Sequence, residues 1–214
     1  MLDAGMVGRI IETDADVAEG AAHLAATEPR FAAALALTGP LPLRRRPDGF
    51  ETLFSAIVSQ QVSTAAASAI WGRLAAIGAD APEGLQAASD EALRAAGLSR
   101  QKIAYGRAIA GGGLDFPALR ELSDAEVVAA LTRIKGIGVW TAEVYAMFSL
   151  GRADVFAPGD LALRDAAQRL FELEARPGEK QLRAMSLAWS PWRSVAARLL
   201  WAYYRVARGR EGVR

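Results

Sequence analysis

The sequence predicts an all-α fold, and three observations carry that expectation. No segment alternates apolar and polar residues over a strand's length. Alanine, the strongest helix former, supplies much of a 52% hydrophobic composition, in runs such as Phe31-Ala-Ala-Ala-Leu and Thr64-Ala-Ala-Ala-Ser. Capping and breaking signals recur along the chain and divide it into roughly ten helices.

At 214 residues the chain is one domain, or one domain made of two lobes. The formal charge of +1 argues against a wholesale polyanion binder but leaves room for a local basic surface. Residues 1–120 hold 11 Lys/Arg against 13 Asp/Glu and the remainder holds 14 against 11, so positive charge leans toward the C-terminal part. With no cysteine there is no disulfide, thiolate zinc site or iron–sulfur cluster. Neither a leader-like segment nor an apolar run of membrane-spanning length stands out, so a cytoplasmic protein without membrane contact is expected.

Residues 1–13 show little pattern and read as a loosely held lead-in. Asp14 or Asp16 is placed to cap a helix running to Ala26, and the lone histidine, His23, reads as a partly exposed structural residue on it. Pro29 starts a second helix that ends at Gly39. Pro40–Pro47, with Arg44-Arg-Arg46, is an extended connector. Asp48 is expected to cap a helix carrying Phe50, Leu53, Phe54, Ile57 and Val58. That helix gives way to Ser59-Gln60-Gln61-Val62-Ser63, and another runs on to Ile77. A Gln-Gln pair between two strongly apolar helices suits a surface junction better than a core, although a hydrogen-bonded interhelical turn is the plainer reading. Residues 82–96 read as a short helix behind Ser89, Gly97–Ile103 as a helix end and basic restart, and Gly111-Gly-Gly113 as a flexible joint. Beyond Asp160 a helix is expected to about Leu173, then an Arg-Pro-Gly turn, then a helix ending near Trp189. Ser190-Pro191 offers an N-cap and first-turn proline for a last helix with Trp192, Val195, Leu199, Leu200 and Tyr203.

The most informative stretch is Leu131–Asp165. Ser123 and Glu126 have capping-box spacing, so a helix begins near Asp124 and turns Val127, Val128, Leu131 and Ile134 inward. Gly136-Ile137-Gly138 interrupts it: two glycines allow backbone angles closed to other residues, and Ile137 pins the turn to the core. The helix resumes with Val139-Trp140-Thr141-Ala142. The amides of Gly136, Gly138 and Val139 then lie at a helix N-terminus, which favours an anion such as a DNA phosphate. An αα-hairpin that only turns a corner is the plainer reading of Gly-x-Gly by itself.

The combination Leu-x-x-Ile-x-Gly-Ile-Gly-x-x-Thr-Ala with Pro158-Gly159-Asp160 resembles the helix-hairpin-helix (HhH-GPD) DNA glycosylase superfamily. Over about residues 45–208 the resemblance is to its 3-methyladenine glycosylase II branch. It implies a two-lobed helical fold: residues 1–47 and 151–214 in one lobe, 48–150 with the hairpin at 131–145 in the other, and a cleft with Asp160 and Trp140 on its walls. It also implies a monomeric base excision repair enzyme. This enzyme flips alkylated bases out of double-stranded DNA and hydrolyses their N-glycosidic bond.

By the same resemblance Asp160 is the catalytic carboxylate, and Trp140, Trp192 and, less directly, Tyr145 line the base pocket. Trp189 is a weaker pocket candidate, and Trp201 reads as core. Gln61, with Gln60 beside it, fills the vacated stack. Gly136, Ile137, Gly138, Val139 and Thr141 grip the strand, and the Thr132, Ile134 and Ile137 carbonyls hold a structural Na+ or K+. No other cofactor is implied. Asp165 reads as structural, paired with Arg164 or Arg169.

Two departures refine the expectation. Lyase-type relatives carry a Schiff-base lysine where this chain has Trp140, so a monofunctional enzyme is expected. A further pocket aromatic falls on Val144, and there is no room for the extra N-terminal β-containing domain of larger relatives; both bear on substrate range. The rival functions are a non-catalytic hairpin module that binds DNA backbone and a glycosylase for other damaged bases.

Overall fold

A computed structural model describes residues 7–211. Those residues form twelve α-helices and no strand: α1 (Asp14–Thr27), α2 (Pro29–Thr38), α3 (Phe50–Val58), α4 (Thr64–Ala76), α5 (Pro82–Ala87), α6 (Asp90–Ala95), α7 (Arg100–Gly111), α8 (Asp124–Thr132), α9 (Val139–Phe148), α10 (Leu161–Leu170), α11 (Glu179–Ser186) and α12 (Arg193–Glu211). The all-α expectation holds. The chain forms two compact units, one from Arg46–Tyr145 and the other from Gly8–Arg45 with the chain from Ala146 onward.

The Arg46–Tyr145 unit is built on α3, whose apolar face puts Leu53, Phe54 and Ile57 out of contact with water. Phe54 packs between Phe50 and Trp71, at ring distances of 5.4 and 5.7 Å. α8 starts as the capping box predicts: Ser123 Oγ accepts from Glu126 N, and the Glu126 carboxylate accepts from Ser123 N at 2.9 Å. Val127 and Leu131 are buried, Val128 is half-buried, and buried Ile134 lies just past the helix end.

In the other unit the core is an aromatic cluster. Phe31 of α2 meets Phe171 and Trp189 edge-on, Phe156 meets Trp189 edge-on, and Phe171 stacks on Trp189 at 5.8 Å. Trp189 is therefore a packing residue, since aromatic pairs in these geometries add to the large area each ring buries. A short antiparallel pairing closes the unit, with Ile11 N donating to Gly151 O and Ala153 N to Arg9 O. Ile11 is fully buried. Residues 9–11 are thus anchored rather than loose; residues 1–6 of that expected lead-in lie outside the described residues.

Several local expectations are corrected by the geometry. Thr13 caps α1, and Asp16 answers from the third helical position. The Asp16 carboxyl is held down at about 2 by the Thr13 hydroxyl first, then by the Glu12 and Thr13 amides. Asp48 does not cap α3: Gly49 holds that place, and Asp48 pairs with Arg120 at 2.7 Å, because a carboxylate facing a guanidinium gains more there than from one amide. Residues 82–96 make two helices, as Ala88 is extended and Ser89 caps α6. α10 stops at Leu170, short of Leu173. Ser190 does not cap α12; the Ser190-Pro191 bond is cis, the Ser190 hydroxyl donates to Asp154, and Trp192 precedes the helix. Asp165 pairs with Arg176 of the Arg-Pro-Gly turn at 3.0 Å, while Arg164 donates to Pro177 O.

Candidate active site

The hairpin between α8 and α9 is asymmetric. Gly136 has φ +98°, and a Cβ built there would lie 2.2 Å from Cγ of Tyr105, so both backbone angle and packing demand glycine. Gly138 has no positive φ, and a Cβ there would meet nothing within 4 Å. Only the first glycine supplies the unusual angle the motif was expected to take from both. The second leaves open space above an exposed backbone. Ile137 is buried and donates its amide to Ile134 O at 3.0 Å, which pins the turn as expected. The first bond of α9 runs from Ala142 N to Gly138 O. The amides of Val139, Trp140 and Thr141 thus belong to a first turn, where donors lack intrahelical acceptors. Val139 and Trp140 are each 45% exposed, whereas the Thr141 side chain is buried.

The implied cation site consists of backbone oxygens. Ile134 O already accepts the Ile137 amide, and a carbonyl retains a second lone pair, so the Thr132, Ile134 and Ile137 carbonyls have the hard-oxygen chemistry a monovalent ion takes. Among the described residues no group of His, Cys, Asp or Glu is clustered to hold a metal.

The Gln60-Gln61 junction follows α3. Gln61 is exposed in a left-handed conformation, φ +58°, which a non-glycine residue adopts only when its surroundings over-determine it. Ser63 then caps α4, accepting from Ala66 N. Lys102 of α7 braces the chain just before Gln61: its ammonium donates to both Val58 O and Gln60 O at 2.7 Å. Burial pushes this amine below its ordinary range. Lys102 and Tyr105 stand three residues apart on α7, hence on one face. One holds the carbonyls of the junction and the other packs beneath Gly136. The sequence offered the lysine only as part of a basic helix restart.

A groove of about 550 Å³ lies beside the hairpin and is lined by Arg107, Arg133 and Lys135 among others. Arg107 is engaged with Asp90 at 2.8 Å.

In the other unit, Asp160 is the N-cap of α10. Its Oδ1 accepts from Leu163 N at 3.1 Å and from the indole Nε1 of Trp201 at 3.1 Å. The side chain is half-buried. The Pro158-Gly159 turn delivers it, with Asp160 N donating to Ala157 O. Trp201, read from sequence as core, therefore touches the candidate catalytic group. No local signal could have shown this, because the partners lie 41 residues apart.

Two of the expected pocket aromatics are packing residues in this structure. Tyr145 is 4% exposed, and its hydroxyl accepts the Gly49 amide at 2.7 Å, supplying the α3 N-terminus with the acceptor its cap residue lacks. Desolvation pushes this phenol up to about 12. Trp192 is 3% exposed; the Arg9 guanidinium lies over its ring at 4.4 Å, and a Cβ on Gly20 of α1 would be 2.6 Å from its Cε3. Trp140 alone of the three presents substantial surface.

Residues 54–193 match the model of the HhH-GPD superfamily base excision DNA repair proteins, a span that includes both the hairpin and Asp160. The chain belongs to the HhH-GPD superfamily. Membership makes it a base excision repair glycosylase, acting on N-glycosidic bonds. The chain is similar to the DNA-3-methyladenine glycosylase 1 of Schizosaccharomyces pombe, at 32% identity over 86% of each chain. The alkylbase DNA glycosidase-like protein mag2 of the same organism is 27% identical over 88% of this chain and 94% of its own. Among solved structures, a DNA-3-methyladenine glycosidase from Bacillus halodurans superposes with a TM-score of 0.81 at 39% identity, covering 94% of both chains. The S. pombe 3-methyladenine DNA glycosylase in complex with abasic DNA superposes with a TM-score of 0.73 at 31% identity, covering 86% of this chain and 95% of that one. Among the described residues no helix is long and apolar enough to cross a membrane.

Proposed function

We propose that this HhH-GPD protein is a monofunctional, monomeric glycosylase that binds double-stranded DNA and releases alkylated bases such as 3-methyladenine and 7-methylguanine, leaving an abasic site. The observation that carries the reading is the Asp160 carboxylate, presented by a Pro-Gly turn at a helix N-terminus, with the Leu163 amide and the Trp201 indole donating to it. As the bond between C1′ and the base nitrogen breaks, its electron pair leaves with the base and the sugar takes on oxocarbenium character. A fixed carboxylate beside the sugar stabilises that charge, orients the water whose oxygen adds at C1′ and takes up the proton that water gives up. Alkylation at a ring nitrogen makes the departing base cationic, so it leaves neutral and no second carboxylate is needed.

Trp140 supports the same reading in two ways. Its exposed indole offers a π face to a cationic base, and it stands where a lyase-type relative has its Schiff-base lysine. Gln61, in its left-handed turn with Gln60 beside it, is the residue that enters the stack when the base leaves. The amides of Gly136, Gly138, Val139, Trp140 and Thr141 grip the phosphate backbone, with open space at Gly138 for close approach. The Thr132, Ile134 and Ile137 carbonyls would hold an Na+ or K+, which would add positive charge to that grip and take no part in bond breaking.

The test is base release from methylated duplex DNA, with the freed bases identified by mass spectrometry. Wild type releases alkylated purines, and Asp160→Asn lowers the rate by about 100-fold or more while affinity for abasic-analogue duplex stays within threefold. Unchanged excision by Asp160→Asn overturns the assignment. A borohydride-trapped covalent adduct would instead mark a lyase and refute the monofunctional reading.

A further inference from the structure

We infer that Trp201 is a positioning residue that sets the orientation of the Asp160 carboxylate for base excision; the inference rests on the catalytic reading of Asp160 given above. An N-cap aspartate bonded only to the amide three residues on is held by its own helix alone. Here a second donor arrives from α12, 41 residues away: Trp201 Nε1 gives its proton to the same Oδ1, at 3.1 Å. Two donors converging on one oxygen restrict the side-chain rotation that a single hydrogen bond leaves open.

The donor is itself held. The Trp201 ring lies against Phe148 at 5.7 Å with an interplanar angle of 33°. Phe148 carries the Arg198 guanidinium at 4.7 Å on its face. Arg198 is buried, bonded to Ser194 O at 3.0 Å and to Leu43 O at 3.1 Å, and burial pushes it down to about 10. A chain of packed groups, Arg198 and Trp201 of α12 with Phe148 of α9 between them, thus ends in one N–H aimed at the carboxylate. An indole N–H donates only, neither accepting nor exchanging the proton that a carboxylate beside an attacking water handles. It orients Asp160 without competing in the chemistry, which a serine or histidine at the same place would not do.

Trp201→Phe keeps an aromatic ring against Phe148 and deletes only the donor. In single-turnover excision of 7-methylguanine from duplex DNA, the expected rate is about tenfold below wild type, the worth of one hydrogen bond. Affinity for duplex carrying a tetrahydrofuran abasic analogue should stay within twofold, and the melting temperature within a few degrees. An unchanged rate overturns the inference, as does a rate loss matched by an equal loss of affinity and melting temperature, which marks a purely structural residue. A second measurement is independent of turnover. The indole ¹H–¹⁵N resonance missing in Trp201→Phe should move upfield in Asp160→Ala, and a fixed resonance refutes the hydrogen bond even if Trp201→Phe fails to fold. Wild type that releases no alkylated base, with that resonance still shifting, would reject the substrate assignment and leave the positioning contact intact.

Discussion

Removing one oxygen from Tyr145 tests its place as an acceptor for the α3 N-terminus against the pocket role that the family resemblance implied. The phenol is 4% exposed and accepts the Gly49 amide. Tyr145→Phe leaves that amide without its acceptor. An orphaned buried donor costs about 1–3 kcal/mol, and because Gly49 is itself half-buried, about 1 kcal/mol is expected at pH 8. The alkaline limb is more diagnostic. Desolvation raises the folded phenol from 10.0 to about 12, so the unfolded chain releases the proton first. Stability from this group is therefore complete below pH 10 and falls as pH rises toward 12. Over the whole interval about two pH units correspond to about 3 kcal/mol, of which about 1.4 kcal/mol is lost by pH 11.

Phenylalanine has no such limb, and every other titrating group is common to both proteins. Urea unfolding followed by tryptophan fluorescence should show wild type ahead by about 1 kcal/mol at pH 8 and level with, or slightly behind, the variant at pH 11. Excision at pH 8 should stay within about twofold, since the hydroxyl faces Gly49. A difference between the two proteins that does not change from pH 8 to pH 11 would refute the desolvation argument. A large loss of excision with no change in stability would restore Tyr145 to the base pocket.

The hairpin glycines should behave unequally. Gly136→Ala has to relieve both a left-handed φ and a Tyr105 clash, for about 2–4 kcal/mol of destabilisation in thermal melts, and adding Tyr105→Ala should recover only the clash. Gly138→Ala should cost less than about 1 kcal/mol of stability yet weaken duplex binding in fluorescence anisotropy; unimpaired binding argues against close backbone approach there. Lys102→Met removes two charge-assisted bonds, to the Val58 and Gln60 carbonyls, and should cost about 2 kcal/mol in urea unfolding. It should also blunt base flipping, read from 2-aminopurine fluorescence in a lesion-bearing duplex. Wild-type stability and flipping would show that Gln61 keeps its turn without the lysine.

The sequence by itself determined what depends on near neighbours in the chain. The helical class, the capping box of Ser123 and Glu126, the break at Gly136, the polar junction at Gln60-Gln61 and the cap position of Asp160 all rest on spacings of a few residues. Such spacings act through backbone geometry whatever lies beyond. Three of the features it missed share another cause. Asp48 left its helix for Arg120, Ser190 left its helix for Asp154, and residues 9–11 paired with 151–153, each drawn to a stronger partner far along the chain. The roles of the aromatics were likewise undecidable, since an indole has the same letter in a pocket, in a core or against a carboxylate. Only tertiary structure put Arg9 over Trp192, Gly49 on Tyr145 and Trp201 on Asp160. Those pairings arise because packed helices satisfy buried polar groups with whichever donor the fold brings within about 3 Å, and no local pattern records that choice.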